Sequence, residues 1–132
     1  MLRCAECDVN EEFSVEHVPA VLIVDDDPLH LQIYGWVLRS AGFAPVPVLM
    51  VSGAVRLPEG QTIDVAILDH RTDNQSRTVN AAELIRDKFP NAPIILLADL
   101  YDMPVGIAPY ISTFVCKGNP DKLISALNEY IY

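Results

Sequence analysis

The sequence predicts an α/β fold: a parallel sheet covered by helices on both of its faces. Three observations carry this. Residues 20–24, 65–68 and 93–98 are apolar runs rich in branched side chains, as strands buried on both faces must be. Helix-like stretches separate the runs, and such alternation gives parallel strands joined by right-handed crossovers. Finally, Asp27-Pro28 and Asn119-Pro120 have the form of a helix cap followed by a first-turn proline, where the missing N–H costs nothing.

Residues 20–24 make the first strand. The helix after Asp27 carries Leu29, Ile33 and Val37 on one face with Trp36 beside them, and Gly42 is placed to end it. Residues 46–49 make a second strand, confined to a sheet edge by Pro45 and Pro47. Gly53 and Pro58 limit residues 51–58 to a short helix. Residues 65–68 make the third strand, stopped by Asp69, and residues 70–79 are polar and loop-like. Asn80 caps a helix through Phe89, with Ala81, Leu84 and Ile85 facing inward. Residues 93–98 make the fourth strand. Pro104, Gly106 and Pro109 allow only a short or broken helix within 99–111. Residues 113–116 make the fifth strand, and the last helix buries Leu123, Ile124, Leu127 and Ile131. The total is five strands and up to five helices.

A length of 132 residues suits one domain. It is assigned to residues 19–132, preceded by a polar acidic extension over residues 1–18. That extension holds five acids (Glu6, Asp8, Glu11, Glu12, Glu16) against Arg3. Apolar residues make up 51% of the chain and charged residues 20%, the balance of a globular protein. Eighteen acids against nine bases give a net charge of -9, which argues against nucleic acid or an anionic membrane as a partner. Three cysteines are too few for a disulfide framework and suit a reducing cytosol. No apolar stretch approaches the ~20 residues of a membrane span, so membrane insertion is not expected and a cytoplasmic location is.

Ligands of open parallel sheets bind at the carboxyl ends of the strands, near the point where the strand order reverses. The first strand ends in Asp25, Asp26 and Asp27, the third in Asp69, and the fifth in Lys117. Asp27 reads as a helix cap. If the first and third strands are neighbours, Asp25, Asp26 and Asp69 converge. Two unit charges ~4 Å apart repel by about 4 kcal/mol at an effective dielectric of ~20. Such a cluster calls for a hard cation, Mg2+ above all, with Lys117 as a second positive group. Mg2+ keeps waters and phosphate oxygens in its shell, which leaves Asp69 available as a nucleophile.

These pieces resemble a response-regulator receiver domain, the two-component module that accepts phosphate from a histidine kinase. The matching residues are Val21 to Pro28, Asp64 to Asp69, Pro93 to Leu97 and Phe114 to Lys117, within a resemblance spanning residues 20–131. It implies a flavodoxin-like, doubly wound, five-stranded parallel sheet of strand order 2-1-3-4-5. It implies Asp69 as phosphoacceptor, Asp25 and Asp26 as the acidic pair holding Mg2+, and the Arg71 carbonyl as a backbone ligand. Lys117 would pair with the phosphoryl group, and Phe114 would be the switch aromatic. The domain would catalyse only its own phosphorylation and autodephosphorylation. The expected partners are a histidine kinase or phosphotransfer protein in a phosphorelay, and a downstream protein target or a homodimer.

The chain departs from the family at several positions. The switch hydroxyl, normally Thr or Ser, is replaced by Ala98, and losing a hydrogen bond to a charged group costs about 1.5–3 kcal/mol. Asp99 either adds charge beside the phosphoryl or points to solvent. Asp73 stands where a proline is usual, and Gly118 where a proline follows the lysine. An atypical receiver follows from this. The alternative is a pseudo-receiver acting as a phosphorylation-independent interaction module. A phosphate-ester hydrolase using Asp69 is a third reading, opposed by Arg71 where those enzymes carry an acid.

Other groups read more plainly. Cys4, Cys7 and His17 have metal-knuckle spacing but supply three of the four ligands that structural zinc needs, so free thiols are expected. Cys116 reads as core. His30 and His70 read as solvated, with His70 placed beside Asp69 to affect phosphate lifetime. Tyr110, Tyr130 and Tyr132 read as packing or partner contacts. No effector follows residue 132, so output is expected through protein contact, unless the chain is a fragment.

Overall fold

In the computed structural model, residues 17–71, 75–99 and 105–131 are described. The extension through residue 16, with Cys4 and Cys7, lies outside them, as do Asp73, Pro104 and Tyr132. Strand β1 (Ala20–Asp25) leads into helix α1 (Pro28–Ser40) and strand β2 (Ala44–Leu49). Strand β3 (Val65–Asp69), helix α2 (Gln75–Lys88) and strand β4 (Ile94–Ala98) follow. Strand β5 (Thr113–Cys116) and helix α3 (Pro120–Ile131) complete the chain.

All five strands are parallel, in the order β2-β1-β3-β4-β5. This is the expected 2-1-3-4-5 order. Successive side chains of a strand point to opposite faces, so the inner strands feed two separate cores. Leu22, Val24, Ala66, Leu68, Ile94 and Leu96 pack with Ala82 and Ile85 of α2. Val21, Ile23, Val65 and Ile67 pack on the other face with Leu31 and Leu38 of α1 and Leu123 and Leu127 of α3. This two-sided burial is why the inner strands are apolar without alternation. β2 lies at the edge, as its two prolines require.

Both Pro-led helices start as expected. The Asp27 carboxylate accepts the Leu29 N–H at 2.9 Å, and Asn119 Oδ1 accepts that of Lys122 at 3.1 Å. Three expectations fail. First, α1 turns Leu31, Gly35 and Leu38 to the sheet, while Leu29, Ile33 and Trp36 are exposed. The helix is apolar nearly all round, so periodicity alone does not select the face. Second, residues 51–58 hold no helix. Val51 and Ala54 exchange two backbone hydrogen bonds of 3.0 and 2.8 Å around Ser52 and Gly53, both with positive φ. Gly53 takes such a φ without strain, whereas Ser52 is held in it by the turn.

Third, α2 begins at Gln75, so Asn80 sits inside the helix and is no cap. Thr78, in the stretch read as loop, is buried. Ala81 and Ile85 face the core as expected, but Leu84 is exposed. Among the described residues there are three helices, and none lies within 105–112. No helix of the described residues is long and apolar enough to cross a membrane.

Candidate functional site

The parallel register brings the strand ends to one edge of the sheet. β1 and β3 are neighbours, with Val24 opposite Leu68, so Asp25 and Asp69 emerge side by side at the point where strand order reverses. β4 and β5 extend the edge, and the Lys117 N–H donates to the Ala98 carbonyl at 3.0 Å. The Lys117–Gly118 peptide is trans, and Gly118 (φ 88°) adopts a backbone conformation that glycine takes without strain.

Asp25 and Asp69 are both buried. Lys117 Nζ lies 2.7 Å from Asp69 Oδ1, and the Tyr34 hydroxyl donates to Asp69 Oδ2 at 3.3 Å. The Asp27 N–H donates to Asp25 Oδ1 at 3.1 Å. His30 Nδ1 lies 3.2 Å from Asp25 Oδ2, and its Nε2 lies 3.5 Å from Asp27 Oδ2. Asp26 is half-buried, with the Arg71 guanidinium 3.9 Å from its Oδ1.

The electrostatics follow from this crowding. Burial, reinforced by the charge of Asp69, pushes the Asp25 carboxyl up to about 7 from an ordinary 3.8. Burial and then the charges of Asp69 and Asp25 likewise raise the Tyr34 phenol, so it stays a hydrogen-bond donor. One lysine therefore faces two buried carboxylates, and the site has an excess of negative charge for a cation to relieve. The donor set fits a divalent ion. Asp25 Oδ2 and Asp69 Oδ1 are buried and have no partner in hydrogen-bond geometry. The Lys117 contact to Asp69 is thus an ion pair and the His30 contact to Asp25 a close approach, neither with a directed hydrogen bond.

Of the residues singled out in the sequence, Asp25, Asp26, Asp69 and Lys117 gather at this edge, with Arg71 on its rim. Ala98 is fully buried at the end of β4, and Phe114 is half-buried on β5 against the α2-side core. Asp99 is exposed, so it points to solvent. Cys116 is half-buried, less enclosed than a core residue.

The expectation of a solvated histidine is corrected for His70, while His30 stays partly exposed. His70 is fully buried, with Nδ1 2.7 Å from the Thr78 hydroxyl. His30 stands against Asp25. His17 Nε2 lies 2.9 Å from Asp64 Oδ2, which also accepts the Ala20 N–H. Tyr110 packs as expected, with its hydroxyl donating to Glu83 at 3.0 Å.

Tyr34 and His30 are site residues that the sequence pattern left unread. Their spacing holds the signal: Asp27, His30 and Tyr34 are three and four apart, one helix face, at the helix end that starts from the strand-end acids. Beside them lies an apolar pocket of about 220 Å³, lined by His30, Tyr34, Val37, Leu97, Pro120 and Leu123. It adjoins the carboxylates but is too apolar to seat an ion.

Comparison with known proteins bears on this arrangement. No family model matches the chain. Over 120 residues, 87% of the chain, it is 30% identical to the transcriptional regulatory proteins GlrR of Escherichia coli K12 and QseF of Escherichia coli O157:H7. It spans about a quarter of the length of these curated relatives (27%). Among solved structures it is similar to the response regulator TrrA of Thermotoga maritima in complex with Mg2+ and BeF. That similarity has a TM-score of 0.71 at 24% identity, over 86% of this chain and 100% of the other. The chemotaxis protein CheY4 of Vibrio cholerae superposes with a TM-score of 0.69 at 20% identity, over 87% and 100% of the two chains.

Proposed function

We propose that the chain, which has the fold of response-regulator receiver domains, accepts a phosphoryl group on Asp69. The observation that carries the reading is Asp69 itself: a buried carboxylate at a strand end, with Lys117 Nζ 2.7 Å from Oδ1. The donor would be the phosphohistidine of a histidine kinase or phosphotransfer protein in the cytoplasm. An Asp69 oxygen attacks phosphorus, the N–P bond breaks, and the departing imidazole nitrogen takes up a proton. Lys117 holds the charge that builds on the transferring oxygens, and aligned, preorganised charge of this kind is the main lever in phosphoryl transfer. Tyr34 holds the second Asp69 oxygen, fixing the plane of the carboxylate. Asp25, Asp26 and the Arg71 carbonyl would hold Mg2+. When bound, the ion neutralises the phosphoryl oxygens and the paired acids.

Output would pass through protein contact, to a downstream target or a second copy. One observation favours the runner-up, a phosphorylation-independent interaction module. Ala98 is fully buried where the family carries a hydroxyl, so the chain has no side-chain donor there to report a phosphoryl group. Intact-mass measurement after incubation with a small phosphodonor separates the two. We expect the mass of one phosphoryl group to be gained with Mg2+ and not with EDTA. No gain under either condition refutes phosphoryl acceptance and leaves the interaction module.

A further inference from the structure

His30 occupies a position that phosphoryl transfer on Asp69 does not require. Asp25, His30 and Asp69 each offer one ligand atom, and the three atoms lie within 4.8 Å of one another. The His30 Nδ1 to Asp25 Oδ2 distance is 3.2 Å. Metal–ligand bonds of about 2.1 Å at right angles set neighbouring ligands roughly 3.0 Å apart, so this spacing is that of two adjacent ligands on one ion. An independent observation also points inward. The Asp25 and Asp69 side chains are 1% and 0% exposed, and Asp25 Oδ2 and Asp69 Oδ1 have no partner in hydrogen-bond geometry. His30 is positioned by its own helix: two residues beyond Pro28, its ring packs edge-on to Tyr34 with centroids 6.3 Å apart.

We propose that His30 is a nitrogen ligand that tunes this cation site toward transition-metal ions such as Co2+, Ni2+ or Zn2+. The inference rests on the cation site of the proposed function and adds His30 to it. Carboxylates and carbonyls alone suit Mg2+, whereas an imidazole contributes strongly to the later first-row ions and little to magnesium. His30 is partly exposed, with a side-chain exposure of 40%. It can therefore swing onto an ion without disturbing the core, and its replacement leaves the fold intact.

Co2+ is the probe, because its visible absorption reports nitrogen ligation directly. In titrations of the full chain with Co2+ and with Mg2+, His30→Ala should lose about 10-fold or more in Co2+ affinity. The variant should change little toward Mg2+, and its Co2+ spectrum should lose the nitrogen-ligand signature. Equal Co2+ affinity and spectrum in parent and variant would overturn the nitrogen ligand while leaving the cation site standing. Tighter binding of both ions by the variant would also overturn it, making His30 a competing positive charge. Failure of the parent to bind either ion would overturn the cation site itself.

Discussion

Above pH 7 and without divalent ions, Asp25→Asn is expected to be more stable than the parent. The unfolded chain releases the Asp25 proton near 3.8, whereas the folded chain keeps it to about 7. Between those values the folded state binds more protons, so the parent loses stability as pH rises through that window and levels off above it. An asparagine avoids the cost and can still accept the Asp27 N–H. The gain is on the order of 2 kcal/mol above pH 7 and vanishes below pH 4. It corresponds to a Tm rise of roughly 5–10 °C for a domain of this size. Added Mg2+ should reverse the order by stabilising the parent alone, since any ligand that binds only the folded state shifts the equilibrium toward it. Melting curves across pH, with Mg2+ and with EDTA, check all of this. Equal Tm values for parent and variant at pH 8 in EDTA would mean that Asp25 bears no such charge strain.

Lys117→Ala is expected to slow phosphorylation of the chain by about 10²–10³-fold. Lys117 is the cation seen in contact with Asp69, 2.7 Å from its Oδ1. It reaches there from the loop after β5, positioned by the backbone hydrogen bond to Ala98. Removing one fixed donor from a site of developing negative charge costs a factor of this size in comparable cases. The side chain is 20% exposed, so a circular-dichroism spectrum and melting curve of the variant accompany the rate to show that the fold is kept. The rate of mass gain with a small phosphodonor and Mg2+ is the readout. A rate within a few-fold of the parent would remove Lys117 from the chemistry.

The inner strands and their edge acids were legible in the sequence for one physical reason. A strand buried on both faces has little room for polar side chains, so the runs ending at Asp25, Asp69 and Ala98 declare themselves, and the acids mark where the apolar runs end, although they are themselves buried. The face of α1 was not legible. Leu29, Leu31, Ile33, Val37 and Leu38 surround the helix, and tertiary packing rather than periodicity chose Leu31 and Leu38. The start of α2 was hidden because its first turns are polar. Thr78 is held inside by His70, eight residues earlier in sequence, a contact that no local pattern announces.

Gly53 and Pro58 limit any helix over residues 51–58, but the tight turn found there instead depends on positive φ values at Ser52 and Gly53, which no local pattern announces. Within the site, the strand-end acids and Lys117 were visible as a pattern because they share one edge. Tyr34 and His30 were not, because a tyrosine and a histidine on a surface helix look ordinary until the sheet places Asp69 and Asp25 opposite them.

Phosphorylation at Asp69 is tested most directly by trapping the acyl phosphate. Borohydride reduces an aspartyl phosphate to homoserine, leaving a stable mark on the residue that carried it. After treatment with phosphodonor and Mg2+, reduction and proteolysis, peptide mass spectrometry should find homoserine at position 69 and nowhere else, and none in Asp69→Asn. Homoserine at position 25 or 26, or unmodified aspartate at position 69 after full exposure to the donor, would contradict the assignment of Asp69 as the acceptor.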